Sequence, residues 1–152
     1  MPPPTALQKV VGHWKGESVL HTPWIDHAPR QTSISNLTVQ TRGVDSYAVV
    51  EYDWKFEGAS HAGTIMVCAS PVAVSAAWVD SWHQSTSPMQ LTGLLTSDNH
   101  VSVSGAYQVP DHPDWFWRIE FLVETDALIL TMTNISPEGA ESLAVSAKYE
   151  RA

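Results

Sequence analysis

The sequence predicts an all-β protein, an up-and-down antiparallel barrel of about ten strands with a short N-terminal helix. Three observations carry that prediction. Past the first residues, the chain alternates apolar and polar side chains with a period of two, the mark of strands buried on one face. Turn-forming residues recur at roughly 10–13-residue spacing, as in a meander of short strands. Helical patterning is confined to the start, where an apolar lead runs into Gly12-His13-Trp14-Lys15-Gly16.

Each element has a local reason. Thr5 is the expected N-cap of a helix over Ala6–Val11, with Gly12 ending it. The first strands are His13–His21 and Gln31–Arg42, joined by the Pro- and Trp-bearing stretch Thr22–Arg30, which suits a lid or mouth loop. Ser46–Glu57 is the clearest strand: Val50, Tyr52, Trp54 and Phe56 take one face, and Glu51, Asp53, Lys55 and Glu57 the other. His61–Ala69, Ala73–His83, Met89–Leu95 and His100–Gln108 follow, separated by turn residues such as Ser70-Pro71 and Ser97-Asp98-Asn99. After the loop Pro110–Asp114, the strand Trp115–Glu124 sets Trp115, Trp117, Ile119, Phe121 and Val123 on one face. Ala127–Ile135 and Glu141–Arg151 complete the set. Closure is expected because an open meander leaves two unpaired edges.

The bulk numbers bound the function. A chain of 152 residues, 43 % hydrophobic, makes one domain (1–152) with a sizeable core. Eight Lys and Arg against sixteen Asp and Glu give a net charge of −8, and the basic residues do not cluster. Nucleic acid and anionic membrane surfaces are therefore not expected partners. No apolar run approaches the roughly 20 residues that span a bilayer. Residues 1–5 have no signal-peptide character, and the single cysteine, Cys68, cannot close an internal disulfide, so a cytoplasmic location is expected. Cys68 is expected as a packed thiol.

First and last strands neighbour one another in a closed meander, which brings Arg151 within reach of the Trp14 ring. On the last strand Arg151 shares a face with Leu143, Val145, Ala147 and Tyr149. The Gly-x-Trp-x-Gly start resembles that of the calycin superfamily, which includes lipocalins and fatty-acid-binding proteins. The ordered set of that start, Trp78-Val79-Asp80-Ser81-Trp82-His83, Trp117-Arg118-Ile119-Glu120, Pro137-Glu138-Gly139-Ala140-Glu141 and Tyr149-Glu150-Arg151 is similar to a bacterial domain-of-unknown-function family with a calycin-like barrel. The resemblance spans nearly the whole chain and implies a barrel with a cavity. The same superfamily holds the haem-binding nitrobindins, whose iron ligand is a histidine near the C-terminal end of the barrel. The matching segment here, Ser142 to Tyr149, has no histidine, so that position does not carry over.

The candidate ligand-binding residues are Tyr52, Trp54, Trp78, Asp80, Trp82, His83 and Trp117, with Phe121 and Met132 as further lining or core. Strand parity groups Trp78, Asp80 and Trp82 on one face and Val79, Ser81 and His83 on the other, so the whole set does not fit a single cavity. If the tryptophan face points inward, Asp80 is a carboxylate in an aromatic cavity. The reading that follows is a binding protein for a small, largely apolar or aromatic molecule, with no catalytic residue, metal or cofactor assigned. The alternatives are an acid–base enzyme using Asp80 or His83 on a carbonyl or phenolic ligand, and a haem or metal barrel of nitrobindin type through His61, His83 or His112. The histidines lack recognised ligand spacings. Trp24, in the mouth loop, is a candidate for ligand or partner contact. Phe116 and Leu122 oppose the Trp117 face and would mark a homodimer surface if exposed together.

Overall fold

In the computed structural model, which describes residues 2–152 apart from the Ser85 side chain, a four-residue helix precedes ten strands. The helix α1 is Thr5–Gln8. The strands are β1 (Gly12–His21), β2 (Arg30–Arg42), β3 (Tyr47–Phe56), β4 (Ala59–Ala69), β5 (Ala73–Asp80), β6 (Gln84–Leu94), β7 (His100–Tyr107), β8 (Trp115–Val123), β9 (Leu128–Ile135) and β10 (Glu141–Arg151). Every strand pairs antiparallel with its neighbours in sequence, and β1 pairs with β10 to close the barrel. Closure leaves no free sheet edge.

The helix differs from expectation at both ends. Pro4 is its N-cap and makes no side-chain capping bond, so Thr5 lies inside the helix. The helix ends near Lys9, and Gly12 opens β1 instead. A proline that pre-sets the backbone and two buried residues, Ala6 and Leu7, hold the helix against the barrel end.

Closure fixes the plug. Trp14 pairs with Arg151, whose guanidinium carbon lies 4.5 Å from the centre of the indole. The same guanidinium donates to the Val11 carbonyl at 3.0 Å and the Lys9 carbonyl at 2.9 Å. The Trp14 Nε1–H donates to the Val10 carbonyl at 2.8 Å. Helix, first strand and last strand are thus tied at one end. Gly16 permits this pairing, because a Cβ there would stand 1.9 Å from the Lys148 carbonyl oxygen.

Inner faces follow the period of two. Val50, Tyr52 and Trp54 of β3 and Trp117, Ile119 and Phe121 of β8 are buried, while Glu51, Asp53 and Lys55 are exposed. β10 departs from it. A register shift between Leu143 and Val145 turns Leu143 outward, where it is exposed, while Val145, Ala147 and Tyr149 stay inside. Cys68 is an exposed thiol and not a packed one. Gly63, Ile65 and Val67 hold the inner face of β4, and parity sends Met66 and Cys68 outward.

Candidate functional site

The site lies at the barrel end opposite the plug, where β5 stops at Asp80 and the turn Ser81-Trp82-His83 leads into β6. Trp78 and Asp80 point inward from β5, at 2 % and 1 % exposure. Asp80 is the organising group. Its Oδ2 accepts from the Tyr52 hydroxyl at 2.6 Å and from Trp54 Nε1–H at 3.2 Å. Its Oδ1 accepts from the backbone N–H of Trp82 at 2.8 Å and of His83 at 3.2 Å. The Tyr52 hydroxyl in turn accepts from Trp78 Nε1–H at 2.9 Å. Four donors occupy the four lone-pair sites of the carboxylate, the pattern of a fully satisfied buried anion. No site is left to take a proton from a substrate, which argues against Asp80 as a general base.

The turn breaks the strand parity that separated the candidate residues. Because β5 ends at Asp80, the reversing backbone brings both Trp82 and His83 to the same barrel end as Trp78. Ser81 points away: its hydroxyl lies 3.0 Å from His61 Nδ1 and accepts from the Ala62 N–H at 3.1 Å, on the outside of β4.

The His83 ring sits among four tryptophans. Ring-centre distances are 4.8 Å to Trp82, 5.2 Å to Trp117, 5.5 Å to Trp78 and 5.9 Å to Trp54. Trp78 and Trp117 stack on each other at 5.3 Å and 7°. Burial lowers the His83 pKa to about 4, and the neighbouring His61 pushes the same way, while the Asp80 charge opposes them. The imidazole is therefore neutral at pH 7. Burial, reinforced by the Asp80 charge, holds the Tyr52 phenol well above its ordinary value. Trp117 Nε1–H is buried without an acceptor.

With His83 in place, the space bounded by Ser18, Leu20, Tyr52, Trp54, Asp80, His83, Met132 and Tyr149 amounts to about 10 Å³. That is room for about one water molecule. A much larger cleft of about 950 Å³ lies at the plug end, but it is an open surface groove where Lys9 and Arg151 face Glu124, Asp126 and Glu150.

The structure brings together all seven candidate residues, Tyr52, Trp54, Trp78, Asp80, Trp82, His83 and Trp117, through the contacts above. Phe121 and Met132 are fully buried. Trp24 is 71 % exposed on the loop after β1, a loop closed by Thr22 bonds to Ala28 and Pro29. His112 lies in the exposed turn after β7, away from any cluster. Among the described residues, no three His, Cys, Asp or Glu side chains converge to hold a metal ion. Haem finds no ligand where the sequence comparison looks for one: β10 carries no histidine, and the two imidazoles at this end, His61 and His83, both pack against the Trp54 indole.

Sequence reasoning missed three contributors. Gly63, opposite Tyr52 on β4, leaves space for the phenol; a Cβ there would lie 2.2 Å from the Tyr52 hydroxyl. A mid-strand glycine next to an aromatic register partner was the available signal. Ser35 and Tyr149, both buried, form a second polar pair: the Tyr149 hydroxyl donates to Ser35 Oγ at 2.8 Å, and Ser35 donates to the Asp53 carbonyl at 2.6 Å. Burial pushes the Tyr149 phenol up to about 12.

Residues 2–151 match the family model described as "Protein of unknown function (DUF1579)". The chain belongs to that family. The crystal structure of Rv2717c from M. tuberculosis is similar over 100 % of this chain and 99 % of that one, with a TM-score of 0.71 and 12 % sequence identity. At that identity the likeness concerns the fold. No curated protein matches. Among the described residues, no helix is long and apolar enough to cross a membrane.

Proposed function

We propose that this family member binds a small, largely apolar molecule at the tryptophan-lined end of a calycin-like barrel, in the place that the His83 ring fills. One observation carries the reading. The interior at this end is filled by a side chain delivered from a turn and not from a strand. Strand-borne core side chains are packed on all sides by inward-pointing neighbours, which leave them nowhere to turn. His83 leaves by a rotation about its side-chain bonds, and the backbone N–H bonds that anchor the turn to Asp80 remain. What then opens is a slot walled by Trp54, Trp78, Trp82 and Trp117, flat-sided and apolar, with Asp80 and Tyr52 fixing the walls. Small-molecule sites have this make-up: mostly apolar walls with a few placed polar groups.

Half-exposure of Trp82 and His83 supports entry from solvent at the turn. The saturated Asp80 carboxylate favours binding over acid–base chemistry, because its acceptor capacity is spent on the walls.

The test is a screen of small aliphatic and aromatic molecules against the protein and its His83→Ala variant, read by two-dimensional NMR of the indole N–H signals. The expected result is a shift confined to the four cage tryptophans, with tighter binding to His83→Ala, which removes the competing ring. Absence of cage shifts in both proteins would overturn the reading.

A further inference from the structure

Resting on that reading, we infer that the ligand is a small quaternary ammonium compound carrying an oxygen acceptor beside its cationic head.

The charge balance at the site points there. Asp80 is a carboxylate at 1 % exposure, and its hydrogen-bond partners are all neutral: a phenol, an indole and two backbone amides. Among the described residues, the ion pairs Arg118–Glu120 and Arg118–Glu141 lie on the outside of the barrel. A buried charge is ordinarily matched by one of opposite sign. Beside this unmatched anion stands a cage of indoles, one of which, Trp54, also donates to the carboxylate. Indole faces attract cations, and enclosure by several of them is the known way of holding quaternary ammonium groups.

The same surroundings choose among cations. A protonated imidazole, a guanidinium or a primary ammonium carries N–H donors that need acceptors, and the indole walls, whose only polar group is a donor, offer none. His83 itself stays neutral there because burial disfavours its charged form, although Asp80 favours it. A cation without N–H groups strands no donor and carries a weakly held hydration shell. Trp117 adds the oxygen. Its Nε1–H, on a cage-wall ring, is buried and has no acceptor among the described residues. A hydroxyl, ester or carboxylate oxygen near the cationic head would satisfy it.

The experiment compares choline with 3,3-dimethylbutan-1-ol, which has the same shape and hydroxyl but no charge, by NMR titration of the indole N–H signals at two salt concentrations. Wild type, His83→Ala and Trp82→Leu are used. Trp82→Leu removes a wall at the half-exposed rim and leaves the Asp80 carboxylate intact. The expected result is choline binding at least about tenfold tighter than the alcohol, strengthened in His83→Ala and weakened in Trp82→Leu. Equal binding of the two probes at the cage overturns the cationic ligand and leaves an apolar site standing. Choline binding that vanishes with salt and ignores both substitutions reports only the acidic surface and overturns the inference. Failure of both probes in His83→Ala overturns the inference, while the screen described above decides the binding role of the cage.

Discussion

Replacing Asp80 by Asn tests whether this carboxylate organises the barrel end. The amide oxygen can keep the two backbone N–H bonds of Trp82 and His83. The amide nitrogen then occupies the position of Oδ2, facing the Tyr52 hydroxyl and Trp54 Nε1–H. Tyr52 has little room to adapt, because its oxygen already accepts from Trp78. Trp54 is left as a buried donor against a donor, which costs about 1–3 kcal/mol, and the surviving bonds lose their charge assistance. The sum is about 3–5 kcal/mol. For a domain of this size that lowers Tm by about 10–15 °C. Urea denaturation followed by tryptophan fluorescence measures the loss directly. Asp53→Asn is the control: Asp53 sits one residue from Trp54 but on the exposed face, where it bonds Asn36. Its cost is expected within about 0.5 kcal/mol. A stability for Asp80→Asn within about 1 kcal/mol of wild type would refute the argument, since no route then exists by which four lost or altered bonds matter so little.

Other expectations follow from the same geometry. His83 has a caged pKa of about 4 against 6.5 when exposed, so the caged state binds fewer protons; its stability is full above pH 6.5 and falls as pH drops toward 4. From pH 7 to pH 5 the balance between caged and exposed ring shifts toward exposed by about 20-fold, and an NMR titration of the His83 ring that shows an ordinary midpoint near 6.5 would contradict the cage. Gly63→Ala drives a Cβ into the Tyr52 hydroxyl and ring, and a thermal melt is expected to show a loss of about 2–4 kcal/mol. Arg151→Lys removes the fork that holds the Lys9 and Val11 carbonyls and the indole contact with Trp14; the expected loss is about 1–2 kcal/mol in urea, and an unchanged midpoint would show the plug to be idle.

Much of the barrel was legible in the residues because strand patterning is local. The alternation along Val50, Tyr52, Trp54 and Phe56 depends only on one face being buried, and so does that along Trp117, Ile119 and Phe121. Turn residues then mark where each strand stops. Where the reading failed, the deciding force was not local. Thr5 looked like a cap, but Pro4 and the packing of Leu7 against the barrel end set the helix start. Leu143 fell on the inner face by counting, and a bulge that no residue type announces turned it out.

The composition of the candidate site was likewise visible in advance, since Trp, Tyr, His and Asp concentrate in Tyr52–Trp54 and Trp78–His83. Its arrangement was not. Parity along a continuous strand puts Trp82 and His83 on opposite faces, and only the ending of β5 at Asp80 brings both rings to one cage. That ending is itself a tertiary matter: the Asp80 carboxylate captures the Trp82 and His83 amides because Tyr52 and Trp54, from another strand, fix its other oxygen. The sequence by itself determined the succession of strands, most of their inner faces and the net negative charge, because each depends on composition or on neighbours a few residues apart. Only the tertiary structure decided that a turn histidine fills the barrel end beside a buried carboxylate, because that contact joins β3, β5 and β8 across the closed sheet.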